Sequence, residues 1–437
     1  VDALPLRTKL LYASASLGGE ALTQSRGLWL LYFYAPPADA HLEGLLPRVL
    51  AGALLTAGRL LEAFDDALIG WWSDRTRSRL GRRLPFILGA TPFWALFAVL
   101  LFTPPRDAGT AAIAVYLFFV LELGFLFSTL SGGPYEALLP ELARRSRDRV
   151  SISAMRFYFG AAGAAVGVAA SPLLKDAIGF SGMAIVMAGL LLVTRYVGMA
   201  GVWRRARQSR AVAIVPFRQA LRLTFSNRSF LAFLPTFVLF QIALQLLLGA
   251  LPFFVDSVLG YEEEGRWVAI LSATAIVCAL VAVPLFSRLA ARRSKRDAYR
   301  AAMLGAALAC PLFALAGLAP GIPAEVQAIV ILAIVGVPLA GNYLFPAALT
   351  ADICDDDLLR TGMRREAMYY GTQNLVEKTA TSVAPLLLAL LLLAGDSSDN
   401  PLGIRLAGPA AGLVVLVGYV VFRRYRLPDE VIVRAAQ

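Results

Sequence analysis

Long apolar runs limit what this chain can become more than any other feature. Phe86 to Thr103, Ala111 to Leu130, Ile185 to Trp203 and Ala407 to Phe422 approach or match the ~20 residues that a helix needs to cross ~30 Å of hydrocarbon. Hydrophobic residues make up 58% of the 437, and the mean hydropathy is +0.66, which is more apolar surface than one aqueous core can bury. Hydrocarbon must then act as the solvent, and there a backbone satisfies its own polar groups only as helices or as a closed barrel. Barrel strands need period-two alternation, which these runs lack. They read as spanning helices of an all-α membrane protein.

Apolar spans alternate with short polar connections to give about twelve crossings, centred near Leu17, Leu60, Trp94, Leu121, Ala162, Leu191, Phe240, Ala275, Ala309, Leu339, Leu386 and Val415. Basic residues fall on every second connection: Arg75 to Arg83, Arg144 to Arg149, Arg204 to Arg210, Arg288 to Arg296, Arg360 to Arg365 and Arg423 to Arg426. The other connections hold only scattered cations such as Arg106, Lys175, Arg266 and Arg405. Such loops stay on the cytoplasmic side, so both termini are expected there, in a bacterial-type inner membrane. The same loops account for the net charge of +11 by facing anionic lipid, and no nucleic-acid partner is expected.

Residues that usually carry enzyme chemistry are scarce. Cys278, Cys310 and Cys354 lie in or at the ends of apolar spans without CxxC spacing, and read as packing residues. His41, the single histidine, sits in a polar connection beside Pro36 and Pro37, which excludes histidine relays inside the membrane. No Ser/His/Asp or Cys/His set can be assembled, so the chain is not expected to be an enzyme or to need a cofactor. Lys9 to Tyr34 is too long and too polar in its middle for a signal-peptide core.

The longest basic connection divides the chain into residues 1–203, a linker at 204–228, and residues 229–437. Within it, Val212 to Phe225 mixes apolar and basic residues and reads as an interfacial helix. A weak repeat supports the division, because basic loops follow both the second span (Gly70 to Arg83) and the eighth (Pro284 to Arg296). Two pseudo-symmetric six-helix bundles of this kind resemble the major facilitator superfamily. That resemblance implies a solute site near the midplane between the halves, alternating access by rocking, and a monomer.

Ionisable residues inside apolar spans are costly and usually functional. The second span reads Arg59-Leu-Leu-Glu62-Ala-Phe-Asp65-Asp66. Glu62 and Asp66 are four apart and project from one helical face, with Asp65 on an adjacent line. Two desolvated carboxylates on one face need a cation or proton between them, and a hard ion such as Na⁺ suits oxygen ligands. Neutralisation by Arg59 and the loop arginines is the alternative.

At this motif the chain is similar to the glycoside-pentoside-hexuronide:cation symporter family, whose second-span signature is matched by Arg59, Glu62, Asp66 and Gly70. Glu62 and Asp65 stand where the family usually has Asp and Asn. Elsewhere the resemblance implies roles residue by residue. Glu20 occupies the place of a sugar-binding carboxylate, and Thr129 would donate a hydroxyl oxygen to the cation. Arg156 matches the substrate-side arginine, and its fork suits a carboxylate or vicinal hydroxyls. Pairing with Glu136 or Glu20 is its alternative role. Gln373 matches a pocket-lining polar residue and Lys378 the intramembrane lysine. Gly132 and Glu136 replace the Asp and the stacking Trp of melibiose-carrying members, so melibiose is not the expected solute. Asp355 to Asp357 read as a solvated loop or as a partner for the basic loops, without a transport role.

The resemblance therefore implies symport of a sugar or sugar-derived solute with Na⁺ or H⁺. The cation would bind at Glu62, Asp65, Asp66 and Thr129, and the solute near Glu20, Glu136, Arg156, Gln373 and Lys378. Lysophospholipid symporters share the second-span acids and the eleventh-span lysine, which leaves an amphiphile as the alternative cargo.

Overall fold

The computed structural model describes residues 4–37, 40, 42–76, 78–81, 83–142, 146–207, 224–261, 264–361 and 366–427; side chains are also left aside at 63–68, 70–75, 140–141, 146–147, 149–150, 204–207, 264, 361, 366–368 and 374. His41 and most of the expected interfacial helix lie outside these residues, as do the side chains of Asp65 and Asp66.

Proline opens several helices, because its fixed φ suits a helix start and its missing N–H costs nothing there. Pro5 and Pro47, at φ −56°, precede α1 (Leu6–Tyr34) and α2 (Arg48–Arg75), and a proline occupies the first turn of α3 (Leu84–Leu100). Next come α4 (Thr110–Leu142) and α5 (Ser146–Arg207). The 62 residues of α5 are broken at Gly179, whose φ of 74° and ψ of 175° are non-helical and open to glycine without strain.

The chain continues through α6 (Arg228–Phe254), α7 (Glu264–Arg292), α8 (Lys295–Ala309), α9 (Ala324–Thr361), α10 (Glu366–Thr381), α11 (Val383–Leu392) and α12 (Leu402–Phe422). Asn227 caps α6 by accepting from the Ser229 and Phe230 amides, and Ser294 caps α8 through the Asp297 amide. Each cap satisfies orphan N–H groups of a first turn. Every regular element among the described residues is helical.

Among the described residues, eight helical stretches are long and apolar enough to cross a membrane, and large apolar side chains cover their outer faces. Phe119 is 57% exposed, Leu280 65% and Val281 73%. A surface of that kind is stable against lipid and not against water, so the chain is an integral membrane protein.

The chain divides into two compact units, one of Val1–Ala213 with Tyr261–Ala269, the other of Ile214–Gly260 with Ile270–Gln437. In the first unit α1 lies against both parts of α5, and small residues let the backbones approach. A Cβ on Gly163 would meet the Leu17 carbonyl oxygen at 2.1 Å, and one on Gly167 the Ala21 oxygen at 2.3 Å. Beyond the Gly179 break, a Cβ on Gly198 would sit 2.9 Å from the Leu11 oxygen. Lys9 and the Leu4 amide converge on Asp148, with the ammonium 2.8 Å from one carboxylate oxygen.

In the second unit a Cβ on Gly341 of α9 would come 2.2 Å from that of Ala302 on α8. Near the ends of the same two helices, Lys295 donates to both oxygens of Asp352, at 2.7 and 2.8 Å. Arg405 donates to the Ala314 and Ala316 carbonyls that end the short 3-10 turn after α8.

Candidate functional site

Among the described residues, three polar clusters interrupt the apolar packing, two in the first unit and one in the second.

The first is built from α1, α2 and α4. Glu62 on α2 is buried. One turn earlier on α2, Gly58 lets α4 approach closely, so that a Cβ there would lie 2.7 Å from Leu121 and 3.0 Å from the Glu122 Oε1. Thr129 follows Glu122 by seven residues, hence on the same face of α4. Its Oγ1 is buried without a hydrogen-bond partner. Unlike most hydroxyls on buried helix faces, it does not bond back to the preceding turn. Thr91 shows the usual pattern, donating to the Ile87 carbonyl and pairing with Ser131 at 2.8 Å. An unpaired buried hydroxyl costs about 1–3 kcal/mol, which an oxygen-seeking cation would offset.

Arg26 enters this cluster from α1. Its guanidinium lies 4.4 Å from the Phe125 centroid, and Arg59 and Glu62 are the charges that act on it. Arg26 is thus a second arginine, besides Arg59, within electrostatic reach of Glu62. Sequence reasoning passed over both Arg26 and Glu122, although each is an ionisable residue inside an apolar span.

The second cluster is built around Tyr135 on α4. Tyr12 and Tyr135 clasp reciprocally, the Tyr12 hydroxyl donating to the Tyr135 carbonyl at 2.5 Å and the Tyr135 hydroxyl to the Tyr12 carbonyl at 2.8 Å. Ser16 adds a contact to the Tyr135 hydroxyl at 3.1 Å. The ring so fixed carries two cations, with the Arg156 guanidinium 4.8 Å and the Arg195 guanidinium 4.4 Å from its centroid. Cation–π contact of this kind stabilises a desolvated arginine by up to about 2 kcal/mol.

Arg156 also donates to Glu136 at 3.3 Å. Glu20 lies one turn away: a Cβ on Gly160, four residues after Arg156, would sit 3.5 Å from the Glu20 Cγ. The structure thus brings Glu20, Glu136 and Arg156 together. Arg195 was missed; the signal available was a lone arginine within the sixth apolar span.

The third cluster belongs to the second unit. Thr350 donates to the Gln373 Oε1 at 2.8 Å, and both residues are buried. Asn342 donates to Gln241 at 2.8 Å, and Gln241 donates to Glu377. Lys378 is exposed. Gln373 therefore lies in a polar seam between α9 and α10.

Comparisons with known proteins agree with this architecture. The family model described as MFS/sugar transport protein matches residues 11–418. An uncharacterized symporter, sll1374, of Synechocystis sp. is 26% identical, with 90% of this chain and 86% of that one covered. The sodium-dependent lysophosphatidylcholine symporter 1 of Mus musculus is 24% identical, with 87% and 79% covered. A mutant form of the nucleoside transporter NupG superposes with a TM-score of 0.66 at 13% identity, covering 96% of this chain and all of that one, a likeness of fold alone. These matches and the apolar helices make the protein a transporter and not an enzyme. The chain belongs to the MFS/sugar transport protein family.

Proposed function

We propose that the chain is a cation-coupled symporter, driven by Na⁺ or H⁺, of a sugar or sugar-derived solute, working by alternating access through about twelve crossings with both termini cytoplasmic. One observation carries this reading: a buried acid on α2, Glu62, accompanies a buried and unpaired hydroxyl on the adjoining α4, Thr129. A carboxylate and a free oxygen donor in a low-dielectric interior suit a small hard cation. Asp65 and Asp66 on the same helix would complete the ligand set, and Glu20, Glu136 and Arg156 would face the solute, joined by Gln373 and Lys378. Symport follows when cation binding favours the solute-binding state, a coupling that runs equally in both directions.

A lysophospholipid or related amphiphile is the second reading. It is favoured by the extent of the match to the mouse lysophosphatidylcholine symporter, which spans 87% of this chain.

The test is uptake into proteoliposomes of labelled glycosides, uronates and lysolipids under imposed Na⁺ or H⁺ gradients. Accumulation of one class in response to one gradient is expected. Uptake indifferent to both gradients overturns symport, and uptake confined to lysolipids replaces the sugar reading by the amphiphile one.

A further inference from the structure

The second cluster holds arginine N–H donors that no protein group uses. Arg195 is 4% exposed, and its Nε and Nη1 are buried without a hydrogen-bond partner. The Nε of Arg156 is buried and unpartnered as well. Glu20 stands against Gly160, one turn along α5 from Arg156, and the carboxylate that meets Arg156 directly is that of Glu136. That carboxylate is only loosely committed, since the Glu136 side chain is 59% exposed and meets Arg156 through a single 3.3 Å contact.

A guanidinium cannot shed its proton to escape burial. What keeps Arg195 in place is aromatic: Tyr135 at 4.4 Å and Trp94 at 5.7 Å. Ring faces attract the charge but leave the N–H donors unmet. Gly19 preserves space at this point, because a Cβ there would lie 3.2 Å from Trp94 and 3.5 Å from the Arg195 Nη2. Arg156, with 20% of its side chain exposed, is the more open of the two cations.

We propose that Arg195 and Arg156 form an oxyanion subsite around Tyr135, and that the transported solute carries a carboxylate or phosphate group that takes the place of Glu136 on this pair. The proposal rests on the transport reading above and narrows the solute to an anionic class. An incoming oxyanion would exchange the Glu136 contact for its own, and would gain donors that no protein group uses.

Binding to purified protein by calorimetry tests this without any gradient. A p-nitrophenyl glucuronide is compared with the matching neutral glucoside, and a lysophosphatidate with the matching monoacylglycerol. In the wild-type protein one anionic probe is expected to bind at least about tenfold tighter than its neutral counterpart, the worth of a charged hydrogen bond. Which pair shows the preference distinguishes a sugar acid from a lipid headgroup. Arg195→Gln should erase most of that preference by weakening the anionic probe far more than the neutral one, while Arg195→Lys should retain part of it. A merely structural role for Arg195 would weaken anionic and neutral probes alike.

Equal wild-type binding of anionic and neutral probes overturns the proposal, as does a preference that survives Arg195→Gln. If Arg195→Gln does not fold, the wild-type comparison still decides. Gradient-driven uptake in the same preparation separates the two readings. Anion preference without a gradient response removes symport alone, and a gradient response without anion preference removes the oxyanion subsite alone.

Discussion

Arg195 holds its guanidinium 4.4 Å from the centre of the Tyr135 ring, and Tyr135 is itself pinned by hydroxyl-to-carbonyl bonds exchanged with Tyr12 on α1. The arrangement joins α1, α4 and α5 at one point. It also binds the motif residue Tyr135 to an arginine sixty positions away, which no local pattern connects to it. In the proposed symport, positions in that network would serve solute binding, and the α2 and α4 acids and hydroxyl would serve the cation.

Replacing Glu62 by Gln removes a charge and keeps the shape. Solute should then equilibrate across proteoliposomes without accumulating against its gradient, which corresponds to loss of a coupling of about 1–3 kcal/mol. Accumulation ratios measured with and without an imposed cation gradient report this. Full accumulation by both Glu62→Gln and Asp66→Asn would remove the cation assignment.

Thr129→Val separates ligand from packing. Its Oγ1 is buried and unbonded, so deleting it relieves an unpaired polar group, and thermal stability should hold or rise by about 1 kcal/mol. Apparent cation affinity, read from the cation concentration that half-saturates uptake, should fall about tenfold. Thr129→Ser should retain it.

Glycines inside and outside the α1–α5 seam should respond to alanine in opposite ways. Gly163→Ala drives a methyl into the Leu17 carbonyl, and the forced separation should cost about 1–3 kcal/mol despite the better helix propensity of alanine. A Cβ on Gly89 of α3 meets nothing within 4 Å, so Gly89→Ala should be neutral or stabilising by up to about 1 kcal/mol. Thermal unfolding in detergent compares the two directly.

Lys9 and Asp148 form a buried pair, with side chains 13% and 7% exposed. Asp148→Ala strands the ammonium and the Leu4 amide, and should destabilise by about 3–5 kcal/mol. Lys9→Met combined with Asp148→Leu removes both charges and should recover part of the loss, read as a double-mutant cycle of unfolding free energies.

The membrane class and the all-helical architecture were legible in the apolar runs, because in hydrocarbon backbone satisfaction leaves helices as the answer to so many long apolar segments. The contact between Arg156 and Glu136 was legible as one of two stated alternatives, and the structure displays it. Glu20 beside Gly160 was legible only through resemblance, since α1 and α5 meet through backbone contacts at Gly163 and Gly167 that no periodicity announces. Arg26, Glu122 and Arg195 were not singled out, because a lone charge in an apolar run gives no sign of what it faces.

By itself the order of residues determined that this chain enters a membrane, where its helices run, and that acids fall inside the second apolar span, where burying a charge is costly. Tertiary structure alone decided which charges meet. Side-chain neighbours on different helices depend on how closely two backbones approach, and that distance is set by the small residues at their crossing. Without the glycines that bring α5 against α1 and leave room beside Trp94, the same arginines would have different partners.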